Sequence, residues 1–371
     1  MPIKPTAKQS SPALVYGRLS RWFSKNARPF PWRGETDPYR VWISEIILVQ
    51  TTASVGVPRY RQFLIRFPTL RSLIRASVDD VMKEWEGLGY YHRARNLHRA
   101  AQVIATNHSG QFPDDYDAIR ALPGIGDYCA AAIHNFCFGG RRAPIDANVA
   151  RVGARLFGVA GDVRSAKTRK LVQQGFESLM TVGHGSLWTE ALIGLGATVC
   201  TPRNPKCNEC PLSDACVARK KGLESALGLP VKRATRKVVN VACGIIRRAD
   251  GRILIAQRLE TGLLPNLWEF PGGKRDGNES LAETCRREIR EELAVAVTVG
   301  RRRMVIEHAY SHYAVRLHVF ECRFKSGKPK TIGCQRFRWM KLTDLEELAF
   351  PAANKRIIAS LLAETPSSSE K

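Results

Sequence analysis

Missing from this sequence of 371 residues is any apolar run long enough to cross a bilayer as a helix. Missing too is the short apolar core of a secretory signal near its start. Both absences point to a soluble, cytoplasmic protein with no membrane partner, whose thiols stay reduced. No segment recurs at a fixed period, which sets stacked-repeat architectures aside. Acidic residues are in short supply: 34 Asp and Glu face 58 Lys and Arg, leaving a formal charge of +24 and a pI near 10.0. A surplus of that size implies a polyanionic partner, with salt-sensitive nucleic-acid binding the leading candidate. Low-complexity sequence is confined to the ends, where residues 1–12 and 365–371 are expected to be disordered. The rest is long enough for two domains, and 44% hydrophobic residues suffice for their cores. A monomer is expected.

The ten cysteines include four in one short stretch, Cys200, Cys207, Cys210 and Cys216, in the pattern C-x6-C-x2-C-x5-C. Such spacing in a reduced protein reads as metal or cluster ligation rather than as disulfides. Four thiolates can hold Zn²⁺ or a [4Fe–4S] cluster. Zinc sites usually pair two C-x2-C knuckles across a longer gap, and a second knuckle is absent here. The single compact loop favours the cluster.

Residues 13–217 read as helical, with Gly and Pro between amphipathic segments. Thr36-Asp37-Pro38 supplies an N-cap and a first-turn proline for a helix through Val41–Leu48. Glu45 falls inside that apolar helix. It is either a carboxyl group with a raised pKa, fit to be a general acid near neutrality, or a residue of the polar stripe; periodicity favours neither. Further on, Trp85–Leu97 combines tight glycines with aromatics and arginines. That composition suits a loop that inserts a ring between bases while cations hold phosphates. Leu122-Pro-Gly-Ile-Gly126 is a turn between helices whose Gly124 and Gly126 amides can meet a phosphate. Asp146 stands at a helix start, where a plain N-cap is the simpler reading.

A basic linker is expected over 218–237, and from Val238 the texture changes to short apolar strands, a second domain over 238–364. Within it lies Gly273-x5-Glu279-x7-Arg287-Glu-Ile-Arg-Glu-Glu292. On a helix Glu288, Glu291 and Glu292 share a face suited to Mg²⁺.

The cysteine loop resembles that of helix-hairpin-helix DNA glycosylases of the endonuclease-three and MutY type. Pro31-Trp-Arg33, Asp37-Pro-Tyr39, Val41-Trp-Ile-Ser-Glu45 and Gly87-Leu-Gly-Tyr-Tyr91 resemble the MutY adenine glycosylases in particular, and Asp146 resembles the aspartate of the wider superfamily motif. The resemblance implies that Glu45 protonates adenine and that Asp146 stabilises the cationic sugar, with Asn148 as a polar helper. Glu190 would be a second active-site carboxylate. Trp32, Arg33, Gln50 and Tyr90 would contact DNA, Gln50 as a wedge by the flipped base and Tyr90 as an intercalator. Val49 and Ala147 depart from the family pattern. Where glycosylase-lyases carry a Schiff-base lysine, this chain has Tyr128, which implies a monofunctional enzyme.

The second domain resembles the Nudix fold, with Ala294 where the box usually has Gly. Glu269-Phe-Pro-Gly-Gly-Lys274 and Phe350-Pro-Ala-Ala-Asn354 resemble MutT, the 8-oxo-dGTP pyrophosphatase, whose purine-reading asparagine Asn354 would match. His308-Ala-Tyr310-Ser311-His312 resembles the loop by which MutY reads 8-oxoguanine opposite adenine. The expected architecture is therefore multidomain: an all-α helix-hairpin-helix glycosylase domain with an iron–sulfur loop, then an α+β Nudix-fold domain. The expected substrate is double-stranded DNA with adenine opposite 8-oxoguanine or guanine. Hydrolysis of 8-oxo-dGTP at a box loaded with Mg²⁺ is a second expected activity. Against it, no Asp or Glu lies between Cys322 and Thr343 to supply a further carboxylate. The chief rival is a glycosylase for thymine or uracil opposite guanine; a lesion-binding protein without catalysis and a nucleotide-pool hydrolase tethered to DNA are the others.

Overall fold

Asp37 and Pro38 start the decisive helix as their chemistry requires. The Asp37 carboxylate accepts the Tyr39 N–H at 2.9 Å, and Pro38 has no N–H to satisfy. The helix Pro38–Leu48 is buried on every face from Val41 to Ile47, because its run of Val, Trp and Ile leaves no polar stripe. It packs against the helix Asp127–Cys137, whose Ala130, Ala131 and Ala132 are all buried.

The computed structural model describes residues 11–180, 184–231, 238–261, 264–309 and 314–364. It divides into two compact units, residues 1–75 with 96–233 and residues 76–95 with 234–371. The first unit is helical. Its core gathers around the helix Ala147–Phe157, flanked by Ala166–Glu177 and Gly185–Thr198. Small residues make that closeness workable: a Cβ on Gly153 would lie 2.2 Å from Val172 Cγ1, and one on Gly196 would lie 2.6 Å from Asn148 Cβ. After Thr198 the cysteine segment runs through two 3₁₀ turns, Cys207–Glu209 and Ser213–Ala215, into the short helix Val217–Lys221.

Three features differ from the sequence-based expectation. The first helix already begins at Pro12, capped by the Ser11 hydroxyl. Residues 218–231 are not a free tether, because they fold back on the first unit. There the Leu227 carbonyl accepts from Arg155 Nε at 3.1 Å, and the bend at Gly228 leaves no room for a Cβ beside Arg151. Residues 76–95, lodged in sequence between helices of the first unit, belong to the second.

In the second unit, the described strands are β1 (Val238–Arg247), β2 (Ile253–Gln257), β3 (Trp268–Glu269), β4 (Gly272–Lys274), β5 (Ala296–Ala309), β6 (Ala314–Ser326) and β7 (Arg336–Met340). They form one mixed sheet in the order β3-β2-β1-β6-β5, with β4 also on β1 and β7 on β2. Only the β1–β6 pairing is parallel among these. Alternate residues feed two cores, as strand geometry demands. Ile253 and Ile255 pack toward the helix Ala352–Ala363, while Leu254 and Ala256 pack toward Leu281–Leu293. The latter helix opens with a Ser280–Glu283 capping box and closes at Ala294 with φ +56°. Glycine serves that left-handed position better, so the departure from the Nudix pattern carries a local backbone cost.

Gly153→Ala is expected to lower the stability of the helical unit by about 1–3 kcal/mol through overpacking against Val172 and Phe176. Urea unfolding followed by far-UV circular dichroism measures it; an unchanged midpoint would contradict the close packing described.

Candidate active site

A cleft of about 930 Å³ in the first unit is lined by Trp32, Glu45, Gln50, Tyr128, Asp146 and Glu190. Arg33 and Asn148 also face it. Eight residues singled out from sequence thus share one wall-to-wall space. Gly124 and Gly126 lie at the turn before the helix Asp127–Cys137, away from the cleft lining. Tyr90 belongs to the second unit. Tyr310, Ser311 and His312 lie outside the described residues.

Glu45 is only 6% exposed. Burial pushes its carboxyl from the ordinary 4.5 up to about 7; a hydrogen bond from Tyr128 works against this, and the Asp146 and Glu190 charges add to it. A carboxylic acid so placed keeps its proton near neutrality. Burial first, then the Glu45 and Asp146 charges, hold the Tyr128 phenol well above its usual range. Tyr128 is therefore a neutral hydroxyl at all working pH.

Asp146 is treated differently. As N-cap of Ala147–Phe157 its Oδ1 accepts from Val149 N at 2.6 Å, and its Oδ2 accepts from Asn148 Nδ2 at 3.1 Å. Burial raises its carboxyl, and these donors oppose the rise. The side chain is both the cap and a wall of the cleft. Across the cleft Arg33 pairs with Glu190 at 2.9 Å, while its Nε donates to the Arg28 carbonyl at 2.8 Å and its guanidinium lies 4.8 Å from the Phe23 ring centre. Burial raises the Glu190 carboxyl and Arg33 pulls it back. Gln50 holds φ +60°, a strained choice for a non-glycine residue. Trp32 is fixed by stacking on Phe30 and by an edge contact with Tyr60.

Two buried arginines, not anticipated from the sequence, join this cleft to the cysteine loop. Arg151 donates to Asn148 Oδ1 at 2.8 Å, to the Gly196 carbonyl at 2.8 Å and to the Cys200 carbonyl at 2.7 Å. Arg155, 2% exposed, donates to the Thr201 and Pro202 carbonyls at 2.7 and 3.1 Å and to Cys200 Sγ at 3.4 Å. The available signal was two arginines four apart on a helix of Ala, Val, Gly and Leu, where charge has no reason to sit unless it is used. The four cysteines carry no disulfide. Three of them, Cys200, Cys210 and Cys216, pack against the first unit's core, and an N–H already points at one sulfur. This donor set fits an iron–sulfur cluster held by Cys200, Cys207, Cys210 and Cys216. When bound, the cluster cross-links the loop. Arg219 closes the loop on itself through the Cys207 carbonyl and Asn208 Oδ1.

The remaining expected elements are also placed. A Cβ on Gly124, at φ +79°, would fall 2.5 Å from Asn96 Cβ, so the helix-hairpin-helix turn requires glycine there. In the second unit Gly87, Gly89 and Tyr90 have φ of +86°, +68° and +48°. Arg93 braces them from within, donating to the Leu88 and Gly89 carbonyls and lying over the Trp85 and Tyr90 rings. On the box helix, Glu288 crowds against Gly273, and Glu292 Oε2 accepts from Gly272 N at 3.3 Å. Burial and the neighbouring Glu269 push the Glu292 carboxyl up to about 8. Glu291 instead stands exposed, paired with Arg287 at 2.9 Å. Arg287 also pairs with Glu279 and Glu288. Asn354 is buried, and its Oδ1 accepts from Phe270 N at 3.0 Å.

Fold and cleft together define a helix-hairpin-helix glycosylase of base excision repair joined to a Nudix domain. Residues 43–179 match the HhH-GPD superfamily base excision DNA repair protein profile, 200–216 the iron-sulfur binding domain of endonuclease III, and 242–360 the NUDIX domain. The chain is 31% identical over 255 residues to the adenine DNA glycosylase of Buchnera aphidicola subsp. Schizaphis graminum, covering 68% of this chain and 73% of that protein. It is 28% identical over 347 residues to the adenine DNA glycosylase of Buchnera aphidicola subsp. Acyrthosiphon pisum, covering 91% and 94%. Among solved structures, a thermostable thymine-DNA glycosylase superposes with a TM-score of 0.52 at 30% identity, over 57% of this chain and 97% of that one. The chain belongs to the adenine DNA glycosylase family. It is a DNA glycosylase that carries an iron–sulfur cluster. Among the described residues no helix is long and apolar enough to cross a membrane.

Adenine release is expected to fall as pH rises through about 7, where Glu45 loses its proton. The same shift has a stability consequence. The folded pKa lies above the unfolded one, so stability is full below about 4.5 and declines until about 7. Glu45→Gln should therefore abolish excision yet stabilise the chain at pH 8, by up to about 3 kcal/mol, with no gain at pH 4. Single-turnover rates and unfolding midpoints across pH check both; equal midpoint changes at both pH values would contradict the buried-acid assignment.

Proposed function

We propose that this chain removes adenine paired with 8-oxoguanine or guanine in duplex DNA and leaves the strand uncut. The observation that carries it is the sharing of one cleft by an acid kept protonated, Glu45, and a carboxylate supplied with N–H donors, Asp146. The target nucleotide leaves the stack and enters the cleft. Glu45 gives its proton to a ring nitrogen of adenine, and the glycosidic bond breaks toward the base. Asp146 offsets the positive charge that grows on the sugar carbon. Water adds there, and its proton returns to the Glu45 carboxylate, as in paired-carboxylate glycosidases. Tyr128 holds Glu45 and offers no amine, so no imine with the sugar forms at that position and no lyase step follows. Gly124 and Gly126 face a phosphate, Trp32, Arg33 and Gln50 the displaced strand, and Tyr90 the base step beside the lesion. The second unit reads the opposite base. The chain acts as a monomer in the compartment that holds the DNA.

With a duplex carrying adenine opposite 8-oxoguanine, strand breaks are expected only after alkali. Breaks without alkali would overturn the monofunctional assignment. Release of thymine from a thymine·guanine duplex with no adenine release would transfer the activity to the thymine class.

A second reading, hydrolysis of 8-oxo-dGTP with Mg²⁺, is supported by Glu288 and Glu292 meeting at Gly272–Gly273. Among the described residues, at the box as at the cysteine loop, no three Cys, His, Asp or Glu side chains are gathered around one metal position, and Arg287 pairs with Glu279, Glu288 and Glu291. Pyrophosphate release that requires Mg²⁺ and disappears in Glu292→Gln is the expected result. No turnover at any Mg²⁺ concentration would remove this reading.

A further inference from the structure

The loop 85–91 is fastened to a single residue of the second unit from both of its ends. Glu86 is a carboxylate only 7% exposed. Its Oε2 accepts from Lys83 Nζ at 2.9 Å and from Lys355 Nζ at 2.8 Å, and its Oε1 accepts from the Phe350 N–H at 3.4 Å. At the other end, the Tyr91 hydroxyl donates to the Phe350 carbonyl at 3.4 Å and accepts from Gly87 N at 3.2 Å. Both backbone polar groups of Phe350 are thus taken by side chains that bracket Gly87–Tyr90. Around them Lys83 also donates to the Glu346 carbonyl, Arg95 to the Glu260 carbonyl and Arg336 pairs with Asp79. All these groups lie within the second unit.

Phe350 is itself a fixed point. It is 1% exposed and packs near Phe270, whose N–H is taken by Asn354. The neighbouring Ala349 carbonyl accepts from Trp268 N at 2.9 Å. A buried carboxylate is tolerated only where cations and N–H groups meet it, so Glu86 sits in one place or not at all. The left-handed residues Gly87, Gly89 and Tyr90 lie between these two fixed ends, with Arg93 over the Tyr90 ring.

We infer that Glu86 is a positioning residue for lesion specificity: it fixes the place of the Tyr90 loop within the unit that reads the base opposite adenine. The inference rests on the proposed reading of 8-oxoguanine by that unit and insertion of Tyr90 beside it. Insertion and reading then succeed or fail together, and the Glu45 chemistry in the other unit is untouched.

The test uses the full chain and two duplexes, 8-oxoguanine or guanine opposite 2′-fluoro-2′-deoxyadenosine for affinity, and opposite adenine for single-turnover excision. Glu86→Gln is expected to reduce the ratio of the two affinities about tenfold, while the excision rate at saturating enzyme stays within about threefold. Hydrogen exchange at residues 346–354 should rise in parallel. Lys355→Gln, which alters a half-exposed side chain, should do the same to a smaller degree and covers the case in which Glu86→Gln does not fold. Equal losses on both duplexes, or an unchanged ratio despite loosened exchange, would overturn the inference. If the unsubstituted chain itself shows no preference between the duplexes, the underlying reading of the lesion fails, and that is seen before any substitution is made.

Discussion

A carboxyl group keeps its proton near neutrality only when it is withheld from water, and the first unit withholds Glu45 in that way. Ordinary surface helices bury one stripe; Val41–Ile47 is buried on every face, so Glu45 meets solvent only through the cleft it lines. The neighbouring Asp146 faces the same burial but is met by two N–H donors from its own helix start. Burial raises both carboxyl groups of the cleft, and at Asp146 the backbone and Asn148 N–H donors oppose that rise. Tyr128 suits the gap between them because its phenol stays neutral there.

The cysteine loop depends on the same helix from its other side. A helix end leaves carbonyls without partners, and the loop begins where Gly185–Thr198 stops. Arg151 and Arg155 reach from Ala147–Phe157 to the carbonyls of Gly196, Cys200, Thr201 and Pro202. Each guanidinium is charged and buried, a state that is stable only with several acceptors around it. Arg151 also holds Asn148, which holds Asp146. Displacing the loop would therefore leave a buried cation short of acceptors and free the side chain that orients the cleft's anion.

Motifs whose physics is local were legible in the sequence. Asp37-Pro38 capped a helix, Leu122–Gly126 made the turn, Asp146 headed Ala147–Phe157, and strands began at Val238. What depended on long-range partners was not. Arg33 and Glu190 each stood out, but their ion pair joins residues far apart in sequence. The carbonyls of Gly196 and Leu227 that accept from Arg151 and Arg155 lie 45 and 72 positions away in the chain, beyond the reach of any local pattern. The segment 76–95 looked like one more helical piece of the first domain, because its attachment to Phe350, Glu346 and Arg336 is invisible from its own composition. Helical spacing also overreached at the box. Glu291 and Glu292 are consecutive and so stand about 100° apart around the axis; only Glu292 turns inward to Gly272, and Glu291 remains in solvent with Arg287.

The formal charge of +24 overstates what the chain can offer to a phosphate backbone. Arg93, Arg151 and Arg155 are buried and bonded to carbonyls of their own chain. Arg287 answers three glutamates, and Arg303 answers Glu321 and Glu364. Cations engaged in this way contribute little counterion release when DNA binds, since that effect counts only phosphates newly neutralised. The arginine surplus therefore does two separate kinds of work. Part of it holds unusual backbone in place, at the Tyr90 loop and the cysteine loop, and the remainder on the surface is what a duplex meets. Salt dependence of DNA binding should follow the second group alone, which is why the electrostatic reach of this protein has to be read from exposure and pairing rather than from composition.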